Sequence, residues 1–380
     1  MNILFIGPYR QNDEWGRKSL AVLKGLQNTD HTVTSRPIYL AASTNYNNYT
    51  ERSETIIADH YDILIQFVLQ PYTVYSGNFT KRIGIFNTET IPNQIPFGQL
   101  TSELLMDEIW TDSHIVAKNL QDILQKHTAN YSINTNVIAV PPSLSLNDLP
   151  AEPNPPPSLR ASASHLQNKF LFYYIGNVLE DTTAFKEVYT AYLNKFTNKD
   201  NVALIIGLDI PIAPDELNKY LTQQRESISN ITPVNHQPAV HVIYPTDNTY
   251  LNTAERVAIH TDCDCMVSPH YTMTNNSTVL EGALYHSTPI VNKGSATAEW
   301  LKEENLWYVE SYEEVCTKPP SNNLYRFTYG ESWHKPIIKS LGQAMKRAYV
   351  DKFQRDKKRK ANRQLRQQLQ ELSYSNILDI

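Results

Sequence analysis

The stretch SPHYTMTNNSTVLEGALYHSTPIVNKG, Ser268 to Gly294, decides the reading of the fold. It opens on a polar loop, continues into a helix from about Asn276 that carries Glu281 on its second turn, and ends on a buried strand at Pro289 to Val291. The apolar run before it, Cys263 to Val267, reads as a strand ending near Ser268. Strand, loop, helix and strand in succession form a parallel crossover unit, whose ligand place lies beyond the carboxyl end of the first strand. The N–H groups that start the helix, at Asn276, Ser277 and Thr278, make an anion site suited to a diphosphate. Glu281, flanked by Leu280 and Ala283, is placed to accept hydrogen bonds from ribose hydroxyls, against the plainer reading of a solvent-facing helix residue.

Outward from this unit the same alternation repeats. Phe170 to Ile175, Val202 to Ile206 and Val240 to Tyr244 are further buried strands with helical stretches between them. Gly176 and Asn177 follow the first of these at a cleft edge. Upstream, Asn2 to Ile6, Ile63 to Val68, Ile83 to Phe86, Glu108 to Thr111 and Val137 to Val140 make a second such series. The two are separated by PPSLSLNDLPAEPNPPPSLRASAS, whose proline and serine sustain neither a sheet nor a long helix. The expected organisation is a domain over 1–142, a linker over 143–168, a second domain over 169–330, and a basic helical segment over 331–380. The fold class is α/β, with two Rossmann-like, doubly wound parallel sheets facing each other across a cleft.

Composition narrows the class further. A chain of 380 residues exceeds what one core usually serves. No apolar run approaches the roughly 20 residues of a membrane span, and the opening MNILFIG lacks the basic flank of a signal peptide, so a soluble, cytoplasmic protein is expected. The net charge of -5 argues against a surface that grips nucleic acid as a whole, although basic residues crowd the last segment, where an anionic partner could dock. Cys263, Cys265 and Cys316 make neither a disulfide framework nor a zinc site. No metal is indicated and no cofactor is expected.

Two more stretches complete a family pattern: RIGIFNTETIP, Arg82 to Pro92, followed by MDEIWTDSHIVAKNL, Met106 to Leu120; and FLFYYIGN, Phe170 to Asn177. With the 268–294 unit they resemble the GT-B glycosyltransferases, in particular the retaining, glycogen-synthase-like group of glycosyltransferase family 4 type. The resemblance implies an acceptor domain followed by a domain for the nucleoside-diphosphate sugar, and a long terminal helix that crosses back to brace the first domain. It also implies that the loop carrying Glu89 meets the donor sugar or acceptor, with Glu89 in a polar or base role. The 268–294 unit would hold the nucleotide through Glu281, Asn276, Ser277 and Thr278.

The departures from that pattern are specific. The family carries two glutamates separated by seven residues; Glu281 matches the second, but the first falls on Met273, which cannot hydrogen-bond a hydroxyl. The arginine and lysine that neutralise the diphosphate after the first strand of the donor domain are replaced by the stretch from Asn177 to Thr183. Arg10, Arg17, Lys18 and Lys293 are substitutes, while Gly16, Asn275 and Lys293 are placed near donor sugar or phosphate and Arg10 and His114 near the acceptor. Ser113 reads as the N-cap of the helix that follows it. The resulting expectation is a retaining transferase that moves a sugar from a nucleoside-diphosphate sugar to an acceptor. A degenerate binding or scaffolding protein, and a transferase acting on nucleic acid, are the alternatives.

Overall fold

The computed structural model describes residues 1–11, 13–39, 52–69, 72–74, 76–86, 88–93, 95, 97–128, 134–141, 149, 159–228, 233, 236–246, 251–317 and 330–371. The first sheet is built from β1 (Asn2–Gly7), β2 (Thr32–Pro37), β3 (Ile63–Gln66), β4 (Lys81–Ile85), β5 (Glu108–Thr111) and β6 (Asn136–Ala139), with α1 (Glu14–Gln27), α2 (Phe97–Leu104) and α3 (His114–Thr128) between them. All six strands run parallel in the order β2-β1-β3-β4-β5-β6. The direction of winding reverses beside β1, which leaves a crevice at its carboxyl end. The strand β2, TVTSRP, is the one missed from sequence: it is too polar to stand out as an apolar run, yet Val33, Thr34 and Ser35 are buried.

After α4 (Leu159–Ser162), the second sheet takes β7 (Phe170–Gly176), β8 (Val202–Leu208), β9 (Ala239–Ile243) and β10 (Cys265–Met266), in the order β10-β7-β8-β9. Helices α5 (Phe185–Lys195), α6 (Pro214–Ile228), α7 (Thr253–Asp262) and α8 (Ser277–Leu284) alternate with them. A parallel bridge between Val267 and Ile290 joins β11 (Ile290–Asn292), which pairs with β12 (Trp307–Val309) after the short α9 (Ala296–Trp300). The crevice of this sheet opens between β7 and β10, where its winding reverses. Phe172, Tyr174, Leu204 and Ile206 project to one face and Leu171, Tyr173, Ala203 and Ile205 to the other, so both faces are covered. Of the cysteines, Cys265 lies buried in β10, whereas Cys263 caps α7 through a bond from its N–H to the Ile259 carbonyl.

An antiparallel hairpin of β13 (Ser311–Val315) and β14 (Ser332–Pro336) leads to α10 (Ile338–Val350) and α11 (Lys352–Glu371). The start of the terminal segment reaches the first domain: Ser332 bridges Ile91, and Glu331 accepts from Thr90. Helix α10 packs on α5 and β12, and α11 on α8. The basic residues explain why, since Arg355 lies 4.8 Å over the Phe170 ring, Lys358 lies 4.8 Å over Trp307, and Arg359 pairs with Asp264 at 3.1 Å. These three cations serve the second domain as packing partners and ion pairs, while Lys352, Lys357, Lys360 and Arg363 are exposed. The expected linker falls largely on 142–148 and 150–158, outside the described residues.

Candidate active site

Where the two crevices meet lies a cavity of about 190 Å³, partly open to solvent. The loop after β1 and the start of α1 supply Asp13, Glu14, Trp15 and Lys18, and the loop after β4 supplies Glu89. Facing them are Gly176, Asn177 and Glu180 after β7, Asp209 after β8, His270, Thr272 and Thr274 after β10, and Asn276 and Thr278 at the start of α8. Sites of drug-sized ligands usually measure about 300–1,000 Å³. The cavity falls below that range and is partly open to solvent.

The halves are held together by polar bonds from loop to loop. Asp13 accepts from the Gly16 N–H at 2.9 Å and so starts α1, which aims Glu14 across the cleft. Glu14 Oε1 accepts from the Ser277 N–H at 3.1 Å. Arg17 reaches Asp209 at 3.2 Å. Asp112, at the end of β5, accepts from Lys18 Nζ and from the Asn275 N–H, both at 3.1 Å. The Met273 N–H donates to the Glu89 carbonyl at 3.0 Å, and its side chain is fully buried in a cluster with Val68, Phe86, Ile95 and Met106 of the first domain.

Several expected site residues are brought together. Glu89 lines the cavity and is 7% exposed. Gly176, Asn177, Asn276 and Thr278 line the opposite wall. Asn177 Oδ1 accepts from the Leu179 N–H at 3.0 Å, which shapes that loop without supplying a charge. The helix-start groups are engaged from within the protein: Ser277 N–H by Glu14, and Thr278 and Val279 N–H by the Asn276 side chain at 3.0 and 3.2 Å. The expected open anion site is thus filled by a carboxylate of the chain itself.

Other expected site residues lie outside the cavity lining. Glu281 does not line the cavity; both of its oxygens accept from Arg256, at 2.9 and 3.3 Å, and His260 lies 3.6 Å away. Burial raises the Glu281 pKa, but Arg256, His260 and Arg17 outweigh it and hold the group well below the usual carboxylate range. Gly16 is required by packing rather than by ligand approach, because a Cβ there would lie 1.9 Å from the Gln11 carbonyl oxygen. Asn275 donates to the Asp112 carbonyl at 3.1 Å instead of facing the cavity. Lys293 is exposed and paired with Glu310 at 3.3 Å. Arg10 is committed to Glu54, and His114 stacks on Trp300 at 4.9 Å. Ser113 caps α3 as expected, accepting from the Val116 N–H at 3.3 Å, and donates to Glu299 at 2.7 Å.

Asp209, His270, Glu14 and Glu180 are among the cavity residues not singled out from sequence. Asp209 directly follows β8, so the carboxyl-edge rule applied to every strand would have found it. One of its oxygens, Oδ1, is buried with no hydrogen-bond partner among the described residues. Its pKa is raised by burial, an effect that Arg17 and Arg256 offset only in part. His270 follows β10, and burial pushes it down to about 4, so it is neutral near pH 7 and able to accept a hydrogen bond. Glu14 and Glu180 gave no sequence signal, since acidic residues in a first helical turn or a loop are commonplace.

No protein-family model matches the sequence, and no curated protein matches it. Solved structures do match by shape. The α,α-trehalose-phosphate synthase (UDP-forming) of Burkholderia xenovorans, in complex with glucose-6-phosphate, aligns with 100% of this chain and 98% of its own at a TM-score of 0.65 and 10% identity. An Escherichia coli structure described as trehalose-6-phosphate bound with UDP-2-fluoro glucose aligns with 99% of this chain and 97% of its own, at a TM-score of 0.63 and 10% identity. The N-terminal domain of Candida albicans trehalose-6-phosphate phosphatase aligns with 99% and 94%, at a TM-score of 0.63 and 12% identity. Two opposed parallel sheets, aligned over nearly the whole of these chains, give this protein the α/β GT-B glycosyltransferase fold.

Proposed function

We propose that the protein is a glycosyltransferase that moves a sugar from a nucleoside-diphosphate sugar to an acceptor hydroxyl. The observation that carries this reading is the cavity at the meeting point of two sheet crevices, with Glu89 on one wall and the Asn276 helix start on the other. In the open state the second domain takes the donor: Thr272, Thr274 and Thr278 offer hydroxyls, and the α8 N–H groups offer dipoles to the diphosphate once Glu14 withdraws. Lys18 is the cation on the facing wall. The acceptor oxygen forms a bond to the anomeric carbon on the face from which the diphosphate oxygen departs, the bond from that carbon to the diphosphate oxygen breaks, and the acceptor proton passes to the departing phosphate oxygen while Glu89 holds the reacting hydroxyl in place. Closure aligns the reactants and excludes the water that would hydrolyse the donor.

Retention of configuration is supported by the resemblance to the retaining, glycogen-synthase-like group. The trehalose-phosphate synthase structures add to that support through their shared fold. Since Glu281 is tied to Arg256, it supports the nucleotide wall by fixing α7 against α8 instead of meeting ribose. Titration calorimetry with UDP, ADP and GDP, combined with release of nucleoside diphosphate from their hexose conjugates, tests the reading. Binding of one nucleotide and turnover of its conjugate are expected, with Glu89→Gln lowering turnover about 100-fold while nucleotide affinity holds.

Met273 favours one other reading, a binding module. The family's acidic position is here an apolar side chain spent on joining the halves. Tight nucleotide-sugar binding with no turnover would select it.

A further inference from the structure

We infer that the acceptor is an unphosphorylated polyhydroxyl compound, a neutral sugar or sugar alcohol laid against Trp15 with its hydroxyls donated to Asp13, Glu14 and Glu89. The inference rests on the transferase reading and adds the acceptor's chemical class to it. On the acceptor wall, the described lining residues comprise the carboxylates Asp13, Glu14 and Glu89, one ammonium, Lys18, and the indole of Trp15. That ammonium is already engaged, at 3.1 Å from Asp112 and 3.7 Å from Glu14. Of the nearby guanidinium groups, Arg10 is engaged by Glu54 within its own domain, and Arg17, outside the cavity lining, reaches Asp209 across the cleft. Across the cavity Glu180 and Asp209 add further carboxylates, and His270 adds no positive charge, burial having pushed it down to about 4.

A phosphoryl group on the acceptor wall, away from the α8 N–H groups that take the donor diphosphate, would meet the carboxylates of Asp13, Glu14 and Glu89, with Lys18 held by Asp112. Like charges in a partly desolvated cavity repel more strongly than in water, so charge alone rejects a sugar phosphate. Hydroxyl groups face the opposite balance. Each can donate to a carboxylate oxygen, which has only acceptor capacity. The Trp15 ring, itself held against Phe67 at 5.6 Å, offers a flat apolar surface to the C–H face of a pyranose. The Burkholderia xenovorans structure holds glucose-6-phosphate, so this chain would share its fold and differ in the charge of its acceptor.

Saturation-transfer NMR on the full chain with the bound nucleotide tests the inference. The probes are matched pairs: glucose, mannose, galactose and myo-inositol, each with its monophosphate. Neutral members are expected to bind, and their monophosphates to bind about 100-fold more weakly. Asp13→Asn keeps the helix cap, and combined with Glu89→Gln it is expected to narrow that gap to about tenfold. Tighter binding of the monophosphates, or failure of every neutral probe, overturns the inference. Nucleotide affinity, read by calorimetry on the same samples, reports the donor site separately: an intact nucleotide site with a phosphate-preferring acceptor site overturns the inference alone, and absent nucleotide binding overturns the transferase reading with it.

Discussion

Glu14 Oε1, on the first domain, accepts a 3.1 Å hydrogen bond from the backbone N–H of Ser277, on the second. A helix start attracts anions because its first N–H groups lack partners and the helix dipole is positive there. Glu14 meets that demand with a carboxylate of the chain itself. Its pKa, raised by burial, is lowered more strongly by Lys18 and Arg17, so it stays ionised near neutral pH. In the proposed donor site a diphosphate would compete with Glu14 for one position.

Removal of that charge frees the helix start. Glu14→Gln is expected to tighten UDP binding about tenfold, or 1.4 kcal/mol. Calorimetry at constant ionic strength measures it; an unchanged or weakened affinity would show that the diphosphate binds elsewhere.

Met273 joins the halves by apolar burial. Met273→Ala is expected to cost about 2–5 kcal/mol in urea unfolding, as other buried methionine truncations do. Because the lost contacts lie between domains, the radius of gyration from X-ray scattering should also rise. A loss of stability with no change in dimensions would place its effect within one domain.

The Arg256–Glu281 pair is almost completely buried, with side-chain exposures of 5% and 4%. Arg256→Ala leaves an uncompensated carboxylate and is expected to cost about 3–5 kcal/mol. Replacing both residues by methionine should recover most of that loss. Denaturant titration of both variants provides the comparison.

Acid should weaken the protein before carboxylates titrate. His270, burial-depressed to about 4, stays unprotonated in the folded state while the unfolded chain takes up a proton below about 6.5. The folded pKa is the lower one, so the contribution is complete above pH 6.5 and is lost as pH falls through the window down to about 4. The loss over that window is about 3 kcal/mol. His260, also lowered by burial, adds in the same direction. Thermal unfolding from pH 7.5 to 4.5 should fall less steeply for His270→Gln than for the native protein.

The strands that were legible from sequence are those buried on both faces, such as Phe170–Gly176 and Val202–Leu208, because full burial demands an uninterrupted apolar run. Thr32–Pro37 escaped because its buried positions include hydroxyl residues. Glu89 was legible from its place beyond a buried strand. The surroundings of Glu281 were not legible, since helical position cannot reveal that Arg256, on the neighbouring helix, donates to both of its oxygens.

The amino-acid sequence by itself determined two alternating α/β series and the loops at their carboxyl edges, because burial periodicity is a local property of the chain. Tertiary structure decided what those loops do. Glu14 meets Ser277 across 263 residues and Asp112 meets Asn275 across 163, and only the packing of one sheet edge against the other brings such groups within hydrogen-bonding distance. The charge of the cavity is the sum of those encounters, which no single stretch of sequence contains.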